Sequence, residues 1–226
     1  MNLLLKAFVW IVVIFLILGL VLFLPAGTIQ WAAGWVYLIL LLGYSLVIIG
    51  VLYVSDRDLL RERLSISQPH QNPSDRALIP LVLVVDLAWY VLMALDAVRF
   101  QWSHLPVFLQ VIGAILIVSS IPVVLLTFRE NTFATTAVRV QEERGQRVIS
   151  TGPYYYVRHP LYAGSLLLFV GTPLLLGSWF GLVFAIVPIV GLGMRAILEE
   201  SVLREELPGY DTYMKQVRYR FVPHVW

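Results

Sequence analysis

The sequence predicts an all-α fold, a polytopic transmembrane helical bundle of about six spans in which the last two form a tight hairpin and a further helix follows. Three observations carry this expectation. Of 226 residues, 59% are hydrophobic and only 13% charged, and the mean hydropathy is +0.82, far from the balance of a soluble domain. Six apolar runs, at about 7–24, 31–54, 78–98, 106–128, 161–177 and 179–197, each approach the ~20 residues that cross a bilayer as a helix. The basic residues, finally, fall almost entirely on one side of that alternation.

Each run has its own signals. The first, within "MNLLLKAFVWIVVIFLILGLVLFLPAG", is longer than a signal-peptide core and lacks an A-x-A cleavage site, so it is expected to remain as an anchor. The second is closed by "SDRDLLRERL", and "SISQPHQNPSDR" (65–76) reads as a polar connecting loop rich in turn formers. Asp86 falls near the middle of the third run; an intramembrane carboxylate serves function or, when protonated, helix packing. Asp96 and Arg99, three apart, read as a local boundary pair. Pro122 marks a kink in the fourth run, and only Gly177 and Ser178 part the last two. The whole of 1–226 reads as one membrane-embedded domain.

With the N-terminus in the cytoplasm, 15 of the 16 basic residues lie on that side and Arg99 alone lies outside. The positive-inside rule therefore places both termini in the cytoplasm. The outward loops, about 25–30, 99–105 and 177–178, are too short to hold chemistry. Reactive groups are expected in 129–160 and 195–226 or just beneath them. There is no cysteine, which excludes disulfides and thiolate chemistry. His70, His104 and His224 show no ligand spacing, so no metal is expected.

Two stretches stand out on that side. "TGPYYYVRHPLYAG" (151–164) breaks the chain at Gly152-Pro153, and Pro160 suits the first turn of a helix. Arg158 and His159 then stand beside the free N–H groups of a helix start, which attract anionic groups. Taken singly, such tyrosines and basic residues are also what an aromatic belt and a cytoplasmic boundary supply. In "GLGMRAILEESVLREELPGYDTY" (191–213), Arg195 and Glu199 share a helix face, and charge at that depth is costly enough to need a cavity or a partner. Glu200, Glu205 and Glu206 read as part of a solvated helix beyond the membrane. "GLGMRA" also fits the dinucleotide pattern G-x-G-x-x-A, but no strand precedes it.

The first stretch, followed by Arg-x-x-x-Glu-Glu and then by "PGYDTYMKQVRYRFVP", resembles the isoprenylcysteine carboxyl methyltransferase family, related to the phospholipid N-methyltransferases. The resemblance covers about 138–224 and is of the prokaryotic type, the chain being short and without extra N-terminal spans. It implies a variable transmembrane half, 1–130, and a catalytic half, 131–226, with a cytoplasmic pocket for S-adenosylmethionine and S-adenosylhomocysteine as product. It implies cofactor contacts from Gln141, Gln146, Arg147, Val148, Ile149, Tyr154, His159, Pro160, Leu161, Tyr162 and Glu199. Arg195 matches the arginine that addresses the substrate carboxylate. The implied partners are membrane lipids and a lipophilic small molecule arriving from the bilayer, not nucleic acid. A carboxylate acceptor, with a pKa near 4, is already ionised and needs no general base. An N-methyltransferase for amine headgroups, an NADPH-dependent reductase of sterol-like lipids and a non-catalytic scaffold or transporter remain as alternatives.

Overall fold

The architecture comes from a computed structural model, which describes residues 2–65 and 73–226, with backbone alone at 73–79. Among the described residues there are helices and turns but no strands. Helix α1 spans Leu3–Ala26, α2 Ala32–Ser55 and the short α3 Arg57–Arg63; α4 runs Pro73–Ala94 and ends in a π-helical turn, Leu95–Arg99. Next come α5, Val107–Glu130; α6, Pro160–Leu176; α7, Trp179–Phe184; α8, Ile186–Glu206; and α9, Tyr210–Gln216. Most of the loop expected at 65–76, with His70, lies outside the described residues, but α4 begins inside it at Pro73.

The helix ends follow local chemistry. Asn2 caps α1 by accepting from the Leu4 N–H, and Gly27, at φ 71°, closes it in the left-handed region that glycine reaches without strain. Asp56 caps α3 through the Leu59 N–H. Helix α5 runs on through Pro122. Gly177, at φ 84°, and Ser178, whose hydroxyl accepts from the Gly181 N–H, make the tight turn between α6 and α7. The α7–α8 arm is interrupted at Ala185, since Pro188 has no N–H to offer the Phe184 carbonyl one turn back.

Two apolar clusters define the ends of the bundle. At one end Leu22, Ala26, Trp31, Trp89, Met93, Leu176 and Ala185 pack together; at the other, Ala7, Leu52, Leu59, Leu60, Val124 and Phe128 do so, with Leu161 against them. Among the described residues, helices run back and forth between these ends, and the N-terminal end of α1, α3, the 131–159 segment and α9 share the second end. Among the described residues, five helical stretches are long and apolar enough to cross a membrane, namely Leu3–Ala26, Ala32–Ser55, Pro80–Arg99, Val107–Glu130 and Trp179–Glu206, while Pro160–Leu176 is shorter, at 17 residues. Phe8, Leu16, Leu24 and Ile39 remain exposed on α1 and α2, a surface suited to hydrocarbon.

The expected Asp96–Arg99 pair does not form. Asp96 is fully buried and accepts from the hydroxyls of Ser103 and Ser178 and from the Phe180 N–H, so it ties the loops of the first end together. The π-helical turn carries it into that junction instead of leaving it on the surface. Asp86 is half-buried in α4, and its Oδ1 has no hydrogen-bond partner among the described residues.

Helices α5 and α6 meet most closely at Gly113 and Gly171. A Cβ on Gly113 would fall 2.4 Å from the Leu175 nitrogen and 2.6 Å from the Gly171 oxygen. Both are backbone atoms, so the helices themselves would have to part, as at other small-residue contacts in membranes. Gly113→Ala is expected to cost about 1–3 kcal/mol by overpacking, read as a lower melting temperature in detergent. An unchanged melting temperature would contradict this contact.

Candidate active site

The 131–159 segment folds back over the second end of the bundle, and its turns are built from its own side chains. Gln141 is buried, donates Nε2 to the Phe133 carbonyl at 2.8 Å and accepts from Arg144 Nη1 at 2.8 Å. Its backbone N–H donates to Gln146 Oε1 at 2.8 Å. Gly152–Tyr155 forms one 3₁₀ turn, and the hydroxyl of buried Tyr154 accepts from Asn131 Nδ2 at 2.7 Å. Burial pushes that hydroxyl well above the usual tyrosine range, so Tyr154 stays neutral and acts as wall and acceptor.

Pro160 opens α6 as expected, with His159 as its N-cap residue. The anion drawn to this helix start is supplied by the protein itself. Glu200, at 3% exposure, accepts from Arg158 Nε at 2.7 Å and from Arg220 Nε at 3.0 Å, and sits 3.1 Å from His159 Nε2. The reading of Glu200 as a solvated surface residue is therefore corrected; Glu205 and Glu206 are exposed, as expected. The Arg158 and His159 N–H groups donate to the carbonyls of Tyr219 and Arg220, both at 2.9 Å. Arg158 Nη1 adds bonds to the Val217 and Arg218 carbonyls, each at 3.0 Å. One carboxylate thus joins the start of α6, the end of α8 and the segment after α9.

On the neighbouring face of α8 stands Glu199, only partly buried, accepting from the Tyr162 hydroxyl at 2.7 Å. His159 stacks on Tyr162 with rings 5.2 Å apart and 8° from parallel, and its Nδ1 is 3.8 Å from Glu199 Oε2. His159 is thereby held between the two glutamates, with Phe221 edge-on to both rings.

These groups face one cavity of about 480 Å³. Gln146, Arg147, Val148, Ile149, Tyr154, His159, Leu161, Tyr162, Arg195 and Glu199 all line it. Gln141 and Pro160 stand behind it, the first closing the 141–146 turn and the second starting α6. The wall also draws on the N-terminal part of the chain, through Trp10, Tyr44, Ile48, Leu52 and Arg63. These were not anticipated: four are ordinary residues of the first two spans, and Arg63 is one of several arginines in a basic stretch. The cavity so runs from an apolar wall on α1 and α2 to a polar one at Glu199, Asn131 and Arg147. Arg195 donates from Nη2 to the Thr136 carbonyl, which holds its guanidinium in the wall. Such a site offers aromatic faces, a carboxylate for a cation, arginines for an anion and an apolar extension.

Residues 108–208 match the family model described as phospholipid methyltransferase. Among solved structures, the chain is similar to the eukaryotic intramembrane Ras methyltransferase ICMT (isoprenylcysteine carboxyl methyltransferase). The identity is 20%, with a TM-score of 0.57, and the match covers 100% of this chain and 88% of that one. No curated protein matches the sequence. The structural likeness speaks for the fold, and the family model spans α5 to the end of α8, where the 151–164 stretch and the glutamate pair reside. By these findings together, residues 108–208 are similar to the phospholipid methyltransferases, and the whole chain shares the fold of the intramembrane isoprenylcysteine carboxyl methyltransferase.

Proposed function

We propose that this integral membrane methyltransferase of lipid or isoprenoid substrates is a carboxyl O-methyltransferase that uses S-adenosylmethionine. The observation that carries the reading is the single cavity on which Tyr154, His159, Tyr162, Arg195 and Glu199 converge, joined to an apolar wall from α1 and α2. The residues suit the cofactor: Tyr154, Tyr162 and Val148 offer an aromatic and apolar wall, and Glu199 a carboxylate for an ammonium. When bound, the cofactor supplies a methyl group made electrophilic by a sulfonium.

What this chain contributes is orientation and an environment. An Arg195 guanidinium in a cavity of low polarity is suited to hold a carboxylate by two hydrogen bonds. The acceptor carboxylate is ionised at neutral pH, so no residue has to remove a proton. Alignment and exclusion of water from the nucleophile then carry the rate. The basic segments at the second end of the bundle support a cytoplasmic position for that end, with the water-soluble cofactor arriving there and the lipid from the bilayer past α1 and α2. The catalytic and cofactor-binding parts are drawn chiefly from 131–226.

Arg195→Ala is expected to leave S-adenosylhomocysteine binding intact and to lower turnover by at least about a hundredfold, since the acceptor loses its alignment. Turnover at the wild-type rate would remove the carboxylate role from Arg195. The function as a whole is tested by incubating membranes with methyl-labelled cofactor and treating the lipid product with base. Volatile label means an ester; retained label means methylation of an amine, the reading that the phospholipid methyltransferase description of residues 108–208 favours. Titration in detergent adds a second criterion, because binding of NADPH in place of S-adenosylhomocysteine would mean a reductase.

A further inference from the structure

Glu130 is a carboxylate that the chemistry above leaves unused. It is half-buried and ends α5, at the limit of an apolar stretch long enough to cross a membrane. The 151–152 turn holds it in place. The Thr151 hydroxyl donates to Glu130 Oε2 at 2.7 Å. Gly152, at φ 57°, lets the Glu130 side chain lie against the turn, since a Cβ there would fall 2.5 Å from Glu130 Cγ. Among the described residues, Oε1 accepts no hydrogen bond and neither oxygen has an ion-pair partner.

Glu130 forms the lip of a groove with room of about 650 Å³. The groove shares no lining residue with the cavity described above, and neighbouring positions alternate between the two. Asn131 and Tyr154 face the cavity, whereas Glu130, Thr151, Tyr155 and Tyr156 face the groove. Tyr155 and Tyr156 are 69% and 65% exposed. Their rings stand 5.2 Å apart at 87°, so the pair presents two faces at right angles. Farther along α5, toward the middle of the span, Leu126 and Val123 continue the groove as an apolar floor. Among the described residues no basic side chain lines it.

A carboxylate with an open oxygen beside two aromatic faces is the chemistry that receives an ammonium group. An anionic headgroup would meet the wrong sign here. Tyrosines at a membrane boundary need no carboxylate among them if they serve only as a belt, and a soluble amine would make no use of the apolar floor. We propose that this groove binds a membrane lipid by a cationic ammonium headgroup, with Glu130 and the rings of Tyr155 and Tyr156 around the ammonium and Leu126 and Val123 along an acyl chain. The site does not depend on which reaction takes place in the cavity.

The test titrates purified protein in detergent with tritiated phosphatidylethanolamine and, separately, with phosphatidylglycerol of the same acyl chains. The wild type should bind the first at least about tenfold more tightly, the combined effect of exposed cation–π contacts and an exposed ion pair. Glu130→Gln, which keeps the Thr151 contact, should lower that ratio at least about threefold, and so should Tyr155→Leu. Tyr155→Phe should keep it, because the ring and not the hydroxyl meets the cation. Glu199→Ala, on the cavity side, should also keep it. Tyr155 lies on the surface, so its variants carry the test even if Glu130→Gln melts at a lower temperature. A wild-type protein that binds both lipids alike overturns the proposal, as does a ratio unmoved in Tyr155→Leu or in a Glu130→Gln protein that melts normally. A ratio lost in Glu199→Ala and kept in Glu130→Gln would place the amine in the cavity and overturn it too. So would free ethanolamine that displaces the lipid at equal concentration, which would mean a site for soluble amines.

Discussion

Glu200→Ala is expected to lower the stability of the protein by about 3–5 kcal/mol, the cost of stripping one partner from a buried ion pair. That is a large share of the ~5–15 kcal/mol that holds an ordinary domain together. The effect is large because the carboxylate has three partners. Its side chain is 4% exposed and that of Arg158 6%, and Arg220 and His159 share the remaining contacts. Removing the carboxylate leaves two guanidiniums packed against each other without compensation. The Arg158 bonds to the Val217 and Arg218 carbonyls are then strained by repulsion from Arg220. Thermal melting in detergent should show a marked drop, and S-adenosylhomocysteine binding should weaken with it because His159 loses its support. Glu200→Gln, which keeps the size but not the charge, should recover only part. A Glu200→Ala protein that melts like the wild type would contradict the assignment of this residue as the joint between α6 and α8.

Glu199→Ala should act in the opposite manner, sparing the fold and removing the ligand. Glu199 is partly open to the cavity and has a neutral partner in the Tyr162 hydroxyl. Its basic neighbour His159 stands 3.8 Å away and is also held by Glu200, so the loss of Glu199 disturbs the fold less than that of Glu200. For a cationic cofactor the loss is different in kind: a carboxylate that faces a ligand ammonium contributes about 2 kcal/mol or more, roughly a thirtyfold change in affinity. We expect S-adenosylhomocysteine affinity to fall by at least that factor, measured by calorimetry, with the melting temperature of the unliganded protein little changed. Full affinity in this variant would mean that the cofactor amine lies elsewhere. The adjacent glutamates thus make a paired experiment, one affecting stability and the other binding.

The sequence made the bundle legible because its signals are local. Apolar length marks the six segments, Gly177-Ser178 and Pro160 mark helix ends, and the distribution of arginines marks one face of the membrane. Convergence of Tyr154, Tyr162 and Glu199 was legible from the two motifs taken together, although 37 residues separate the hydrogen-bonded pair Tyr162 and Glu199. What escaped were charges whose partners are distant in sequence. Glu200 looks solvated when read beside Glu205 and Glu206, and nothing in the period of α8 reports Arg158, 42 positions earlier. One signal was available: neighbouring positions on a helix point about 100° apart, so a Glu facing the cavity leaves the next one facing another element. Arg63 was hidden by the basic stretch around it, which the positive-inside rule explains without any further role. Asp96 and Arg99 were misread because a spacing of three presumes an α-helix, whereas the chain there is a π-helical turn.

The α6–α8 hairpin is fastened at both extremities, by the two-residue turn at Gly177-Ser178 on one side and by the Arg158–Glu200 contact on the other. Arms pinned at hinge and tip cannot spread like tongs to admit a bulky guest. Any widening of the chamber must come from its opposite boundary, where α1 and α2 present Trp10, Tyr44 and Ile48; the Tyr37–Tyr90 hydroxyl bond that ties α2 to α4 lies in the apolar cluster at the other end. The wall that carries Tyr162 and Glu199 is thereby the fixed jaw, and the lipid-facing helices are the door.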